Sequence, residues 1–265
     1  MINNKYNQHL QNNTFSTLFV GQNLIKLSEV DSTNNFLKEL VSKSEPLPEG
    51  TVIMADNQYA GRGQQQNIWH TEPGKNLTFS VYLKPSFLNI PQQFLLNMAI
   101  SIAVNEALTK LLGSGVSIKW PNDIYYKDLK LGGILIENMI AGSRFKSVII
   151  GIGLNVNQQH FEPHLSGKAT SVYQILHKDV SLKMLLTDIC SHIESNYLKL
   201  KAADYLYLRN AYHNRLYRFH EQHKYRHNGE VFFASIQGVR DTGMLVLLEG
   251  ETEKEYNFKE IEFLN

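Results

Sequence analysis

A single cysteine, Cys190, is all the thiol chemistry this chain carries, which excludes an internal disulfide and a cysteine-based metal cluster. It lies in the periodic stretch LLTDICSHIESNYLKL and reads as a small apolar residue on a helix. A nucleophilic thiol would need an electropositive, accessible setting. Excess charge of either sign is also missing: 26 Lys and Arg face 25 Asp and Glu, for a formal net charge of +1. That balance argues against a partner recognised through the global field, whether nucleic acid or membrane surface. A nucleotide, if one binds, must be held by a local site. The chain has no uninterrupted run of 18 apolar residues and no basic-then-apolar leader, which predicts a cytoplasmic, non-membrane location. There is no GxxxxGK[ST] sequence, so an ordinary P-loop is excluded. Gly151-Ile152-Gly153-Leu154-Asn155 lacks the third glycine of a dinucleotide fingerprint, because position 156 is Val. No Ser-His-Asp or Cys-His arrangement can be argued from spacing.

What is present suits a chain with a sizeable core. The 265 residues, 43% of them hydrophobic, allow one large domain with a smaller one appended. Residues 1–14 are rich in Asn and Gln and predict a flexible tail. A strand approach over residues 15–30 precedes Asp31-Ser32-Thr33-Asn34, whose side chains suit the start of a helix over NFLKELVSK. A short β-rich run at 51–55 leads into ADNQYAGRGQQQNIWHTEPGK, a polar, glycine-bearing stretch of the length that functional loops have. A strand over 76–83 and a long apolar helix over 91–112 follow. The run continues as strands over 116–120, 130–138 and 145–155, the last reading as buried on both faces. Helices are predicted over 181–200 and 203–213. After about Tyr212 the texture becomes short β-type runs, which suggests a small all-β barrel.

Four clusters could carry chemistry. In Gly61-Arg62-Gly63, two glycines permit close backbone approach while the guanidinium offers a planar fork for phosphate or carboxylate. A turn with a solvated arginine explains the same three residues. Lys119-Trp120-Pro121-Asn122-Asp123 resembles a site on a loop after a rigid strand, with an Asx-turn as the competing explanation for Asn122 and Asp123. Lys130-Leu131-Gly132-Gly133 removes side chains where something must lie close to the backbone, as a ligand or a strand bend would require. The fourth is the Gly151–Asn155 run itself.

Taken together and in order, these segments resemble the catalytic domain of biotin protein ligases: Asp-Ser-Thr-Asn at 31–34, Asn-Gln-Tyr-Ala-Gly-Arg-Gly at 57–63 with Trp69, Lys-Trp-Pro-Asn-Asp at 119–123, Lys-Leu-Gly-Gly-Ile-Leu-Ile-Glu at 130–137 and Gly-Ile-Gly-Leu-Asn-Val at 151–156. The C-terminal GVRDTGMLVLL and FKEIEFL resemble that family's small SH3-like domain. The resemblance implies an α/β (α+β) fold: a mixed-sheet biotin- and ATP-binding catalytic domain over 15–213 and an SH3-like β-barrel over 214–265. It implies an ATP- and Mg2+-dependent ligase that forms biotinyl-5'-AMP and transfers biotin to a lysine of a biotin carboxyl carrier protein domain. It further implies a monomer or homodimer. A lipoate or octanoate ligase and a non-catalytic biotin sensor are the rival readings.

Residue by residue, the resemblance makes Ser32, Thr33, Asn34 and Gln58 biotin contacts, with a helix-cap role open for Ser32 and Thr33. It places Gly61, Arg62, Gly63 and Gln64 in a loop that closes over the adenylate. Lys119 should face phosphate beside Asn122. Asp123 is essential in an unassigned role. Lys130 becomes the biotin and acyl-phosphate contact, Gly132 and Gly133 give close approach, and Asn155 becomes a nucleotide contact. Trp69 could stack on adenine or anchor the loop. No residue is assigned to a metal. Gln64-Gln65-Gln66 stand where most relatives carry more arginine, which implies weaker retention of the adenylate. About thirty residues precede Asp31, too few for the helix-turn-helix module of many bacterial relatives, which implies no operator binding.

Overall fold

A computed structural model describes residues 15–43, 46–64, 68–142 and 144–264. The expected tail over 1–14, and Gln65 and Gln66 of the loop, lie outside the described residues. Seven strands form a mixed sheet in the order β1-β2-β3-β7-β6-β5-β4. These are β1 Leu24–Val30, β2 Val52–Gln58, β3 Leu77–Leu83, β4 Val116–Lys119, β5 Asp123–Tyr126, β6 Leu129–Ala141 and β7 Arg144–Leu154. Only β1 and β2 are parallel; every other pair is antiparallel. The mixed sheet agrees with the fold class expected from the sequence.

Strand alternation decides what each face holds. Phe79 and Val81 of β3 and Ile150 and Ile152 of β7 turn toward helix α2 (Gln93–Leu112) and join the main core. The intervening Tyr82 and Ile149 turn the other way and pack with Leu37 of helix α1 (Thr33–Ser42). The apolar run at 145–155 is therefore buried on both faces only over residues 147–150. Beyond them Gly151 and Gly153 are part-exposed. Helix α2 is long and apolar enough to cross a membrane by length and composition alone. Its apolar residues, however, are the protein core, packed by helices α4 (Leu182–Lys201) and α5 (Tyr205–His213). A one-turn helix, α3 (Val172–Leu176), was not visible in the periodicity because five residues are too few to show one.

The C-terminal region is a second sheet, five-stranded and antiparallel, in the order β11-β10-β9-β8-β12. It comprises β8 Gln222–His227, β9 Glu230–Val239, β10 Leu245–Glu249, β11 Thr252–Tyr256 and β12 Glu262–Phe263. Strand β8, QHKYRH, escaped the sequence reading because only Tyr225 in it is buried. The two sheets share one continuous core that includes Tyr212, Tyr225 and Ile236. Arg209 of α5 grips Asp241 with two hydrogen bonds of 2.6 and 2.5 Å, and the Trp120 indole donates to the Gly243 carbonyl at 2.9 Å. Cys190 is fully buried on α4, where burial pushes its thiol up and keeps it protonated.

Candidate active site

A cavity of about 380 Å³ opens on the α1 side of the large sheet, a size within the usual range for small-molecule sites. Its floor follows from the antiparallel register. Ser80, Gly151 and Leu135 lie opposite one another across β3, β7 and β6, and Thr78, Gly153 and Gly133 form the next row. That second row continues through Asp123 of β5 to Lys119 of β4. Residues in one cross-strand row share a face, so Lys119 and Asp123 point over a floor made of glycine. The glycines are required there. A Cβ on Gly151 would lie 2.5 Å from the Asn34 side-chain oxygen, and one on Gly153 would lie 2.6 Å from the Trp69 indole.

Lys130 reaches the same face through an irregularity. The β5–β6 register shifts between Ile124 and Tyr125, pairing Ile124 with Gly132 but Tyr125 with Lys130. Leu131 is the extra residue and is fully buried. Without that bulge, Lys130 and Gly133, three residues apart, would point to opposite faces. With it, the Lys130 ammonium lies 2.7 Å from Asp123 Oδ1, both side chains about one-third exposed. Lys119 donates to the Tyr125 hydroxyl at 3.1 Å and lies 5.0 Å from the Phe263 ring centre. Burial pulls the Lys119 ammonium below its ordinary 10.5, with Arg218 and Lys130 adding repulsion and Asp123 opposing.

That shift has a testable sign. A phosphate bound at Lys119 would favour the charged amine, so its binding would take up a proton between the lowered free value and the higher bound one. For a nucleotide substrate seated there, KM should climb with pH through a transition below 10.5, and Lys119→Arg, charged throughout, should flatten the climb. A pH series of initial rates checks this, and identical curves for both proteins would refute it.

The other end of the cavity is built around Asn34. Ser80 Oγ donates to Asn34 Oδ1 at 2.6 Å and lies 2.7 Å from Thr33 Oγ1, while Asn34 Nδ2 donates to Glu137 Oε2 at 2.8 Å. Gln58 Oε1 accepts from both the amide and the hydroxyl of Thr33, at 2.8 and 3.0 Å. The cap expected of Ser32 is not formed: it occupies the N-cap position without a side-chain hydrogen bond, and a first-turn amide is instead satisfied by Gln58 from a neighbouring strand. The loop folds back on itself. Trp69 N donates to Gly61 O at 2.9 Å, and Arg62 bridges to Ile68. The Trp69 indole N–H is buried without a partner beside the cavity. The Arg62 guanidinium is held by α1 and β6, donating from Nη1 to Asn35 Oδ1 at 2.8 Å, with Nη2 3.2 Å from Glu137 Oε1.

Most of the residues singled out in the sequence line this cavity. Ser32, Thr33, Asn34 and Gln58 stand at one end; Arg62, Gly63, Gln64 and Trp69 form one wall; Lys119, Asn122, Asp123, Lys130 and Gly133 form the other end. Three do not line it. A Cβ on Gly61 would strike the Trp69 carbonyl at 2.4 Å, and one on Gly132 would strike the Gly153 carbonyl at 2.6 Å, so both serve backbone packing. Asn155 is buried, donates to the Thr170 carbonyl at 3.1 Å and ties β7 to the segment before α3. Asn122 lines the cavity while also bonding the Ile134 carbonyl. Sequence reasoning missed the floor residue Thr78 and the fully buried Ser80 that supports Asn34, both of which an alternation count on β3 could have placed. It also missed the wall from the second sheet, Phe258, Lys259 and Phe263, for which no local signal exists. Among the described residues no group of three or more His, Cys, Asp or Glu could hold a metal ion.

The cavity thus has a glycine floor, lysines at one end and an amide-rich pocket at the other, on a mixed sheet beside a small β module. The biotin/lipoate A/B protein ligase family model matches residues 27–155. The bifunctional ligase/repressor BirA of Bacillus subtilis (strain 168) is 31% identical over 250 residues, spanning 93% of this chain and 75% of that protein. The biotin–[acetyl-CoA-carboxylase] ligase of Paracoccus denitrificans is 31% identical over 134 residues, 49% of this chain and 53% of that protein. The structure of the biotin protein ligase from Aquifex aeolicus in complex with biotin and ATP superposes with a TM-score of 0.76 at 30% identity, covering 91% of this chain and 98% of that one. This chain belongs to the biotin/lipoate A/B protein ligase family.

Proposed function

We propose that this chain is a biotin protein ligase that activates biotin with MgATP and transfers it to a lysine of a biotin carboxyl carrier protein domain. One biotin carboxylate oxygen attacks the α-phosphorus; the bond to the bridging oxygen breaks and pyrophosphate leaves. The carrier lysine amine then attacks the acyl carbon of biotinyl-5'-AMP. The C–O bond of the mixed anhydride breaks, AMP leaves with the electron pair, and the amine loses a proton. Both steps gather negative charge on oxygen, so fixed cations and amides stabilise them without an enzyme nucleophile. The observation that carries this reading is the single cross-strand row that sets Lys119 and Asp123 over glycine, with Lys130 brought in by the bulge.

In this reading Ser32, Thr33, Asn34 and Gln58 hold biotin, and Lys130 stands at the acyl phosphate. Lys119 faces the nucleotide phosphates, with Lys259 and Phe263 of the second sheet closing that end. Trp69 offers its face to adenine and its N–H to an acceptor on the ligand. Asp123 orients Lys130 and stands where an incoming amine would approach. Asn155, outside the cavity lining, acts on the nucleotide only through the segment it tethers. The enzyme works in the cytoplasm, as a monomer or homodimer, with residues 15–213 as catalytic domain and 214–265 as the SH3-like domain.

The test is transfer of labelled biotin to a purified carrier domain with MgATP. Arg62→Ala should still label the carrier but release biotinyl-5'-AMP roughly 10- to 100-fold faster, the weight of a charged hydrogen bond. No labelling by the wild type, with biotin still bound, would favour a biotin sensor. A pyrophosphate-release panel that preferred lipoate or octanoate would favour the sister ligase.

A further inference from the structure

Glu137 lies outside the cavity yet holds two of its walls. Burial alone would push its carboxyl up, but hydrogen bonds from Lys38 and Asn34 and the charges of Lys38 and Arg62 hold it below the ordinary value. Its two oxygens are used differently. Oε2 takes the Asn34 amide at 2.8 Å. Oε1 takes Lys38 at 2.5 Å, with Arg62 Nη2 at 3.2 Å. The first bond fixes which way the Asn34 amide faces, because Ser80 already donates to its oxygen. The second holds the loop arginine away from any ligand phosphate, since a guanidinium that gives its fork to Glu137 and Asn35 cannot give the same fork to an adenylate.

We propose that Glu137 is a positioning residue that orients Asn34 for biotin while competing with the adenylate phosphate for Arg62, with Lys38 setting how strongly it competes. The inference rests on the ligase reading above. It has a signature that simple damage to the site lacks: one substitution moves two ligands in opposite directions. In Glu137→Gln the amide of Asn34 is no longer held, and the Kd for biotin should rise about 10-fold, as for loss of a charged hydrogen bond. Arg62 is freed at the same time, so biotinyl-5'-AMP should dissociate about 2- to 5-fold more slowly, the modest weight of a part-exposed ion pair.

Three further arms make the test decisive. With Arg62→Ala as background, Glu137→Gln should keep its biotin defect and lose its effect on release. In the ligand-free protein, Glu137→Gln should speed tryptic cleavage of the Arg62–Gly63 bond about 2- to 5-fold, because a pinned arginine cannot enter the protease. Lys38→Met, on a part-exposed helix position, should do the reverse, slowing that cleavage and speeding adenylate release. Parallel weakening of both ligands in Glu137→Gln, or cleavage unchanged in both variants, would overturn the proposal. A wild type that forms no biotinyl-5'-AMP would sink the ligase reading, while the tryptic arm still judges the Glu137–Arg62 contact on the chain alone.

Discussion

Lys130→Ala is expected to lower carrier biotinylation by roughly 100- to 1,000-fold, the usual cost of removing one donor aimed at developing charge. The loss should appear in turnover rather than in folding. The Lys130–Asp123 pair is about one-third exposed on each side, so water screens it and the protein should lose under about 1 kcal/mol of stability. What the variant leaves behind is an Asp123 carboxylate without its cation, facing the space in which the proposed reaction would gather charge on phosphate and acyl oxygens. Lys130→Arg should not restore the rate. Lys130 meets Asp123 Oδ1 as a compact charge at 2.7 Å, and a planar guanidinium is not a substitute for a compact charge. The double variant Lys130→Ala/Asp123→Asn separates two roles. If Lys130 merely neutralised Asp123, activity would return. If Lys130 faces the reacting group, the double variant should stay within a few-fold of the single one. Pyrophosphate release and carrier labelling, measured side by side, decide this; a Lys130→Ala protein that labels at the wild-type rate would remove Lys130 from the mechanism.

Gly151→Ala should cost about as much through geometry alone. Gly151 lies in β7 at the middle of the sheet, between Ser80 and Leu135. Its new methyl would meet Asn34 Oδ1 at 2.5 Å and Asn34 Cγ at 3.0 Å. The strand cannot retreat, because its other face is the fully buried Ile150 layer. Asn34 must therefore leave its place, giving up Ser80 and Glu137 together. Overpacking of this kind costs about 1–3 kcal/mol of stability, and loss of the oriented amide should weaken biotin binding about 100-fold, since two of its partners are left unpaired. Adding Asn34→Ala to Gly151→Ala should return most of the stability and none of the affinity. Thermal unfolding and biotin titration on the three proteins check both halves; a Gly151→Ala protein that binds biotin normally would move the biotin pocket away from Asn34.

The site was legible where chemistry is concentrated in short segments. Lys119 and Asp123 are four residues apart around a tight hairpin, so any antiparallel closure sets them opposite each other. Gly61-Arg62-Gly63 reads as a place of close approach from composition. The fold was legible where apolar periodicity was long: α2, α4 and β7 fell within a few residues of their predicted limits. Strand β5 was hidden because Asn122-Asp123 reads equally as a turn, and β8 because it buries one residue. The helix cap at Ser32 failed for a tertiary reason, since Gln58 supplies from a neighbouring strand the acceptor that a cap would have supplied locally.

From its sequence alone this protein is committed to a mixed α/β fold without thiol or P-loop chemistry, with cationic and glycine-bearing segments that suit an acid and a nucleotide. Those properties depend on residue type and on spacing along the chain. Tertiary structure decided the rest, because it depends on register and on contact between distant segments. A one-residue bulge turned Lys130 toward Asp123, strand alternation made Thr78 part of the floor and set Ser80 against Asn34, and docking of the second sheet set Phe258 and Phe263 into the wall. Glu137, ordinary in sequence, gained its place only when α1, β6 and the Arg62 loop met around one carboxylate.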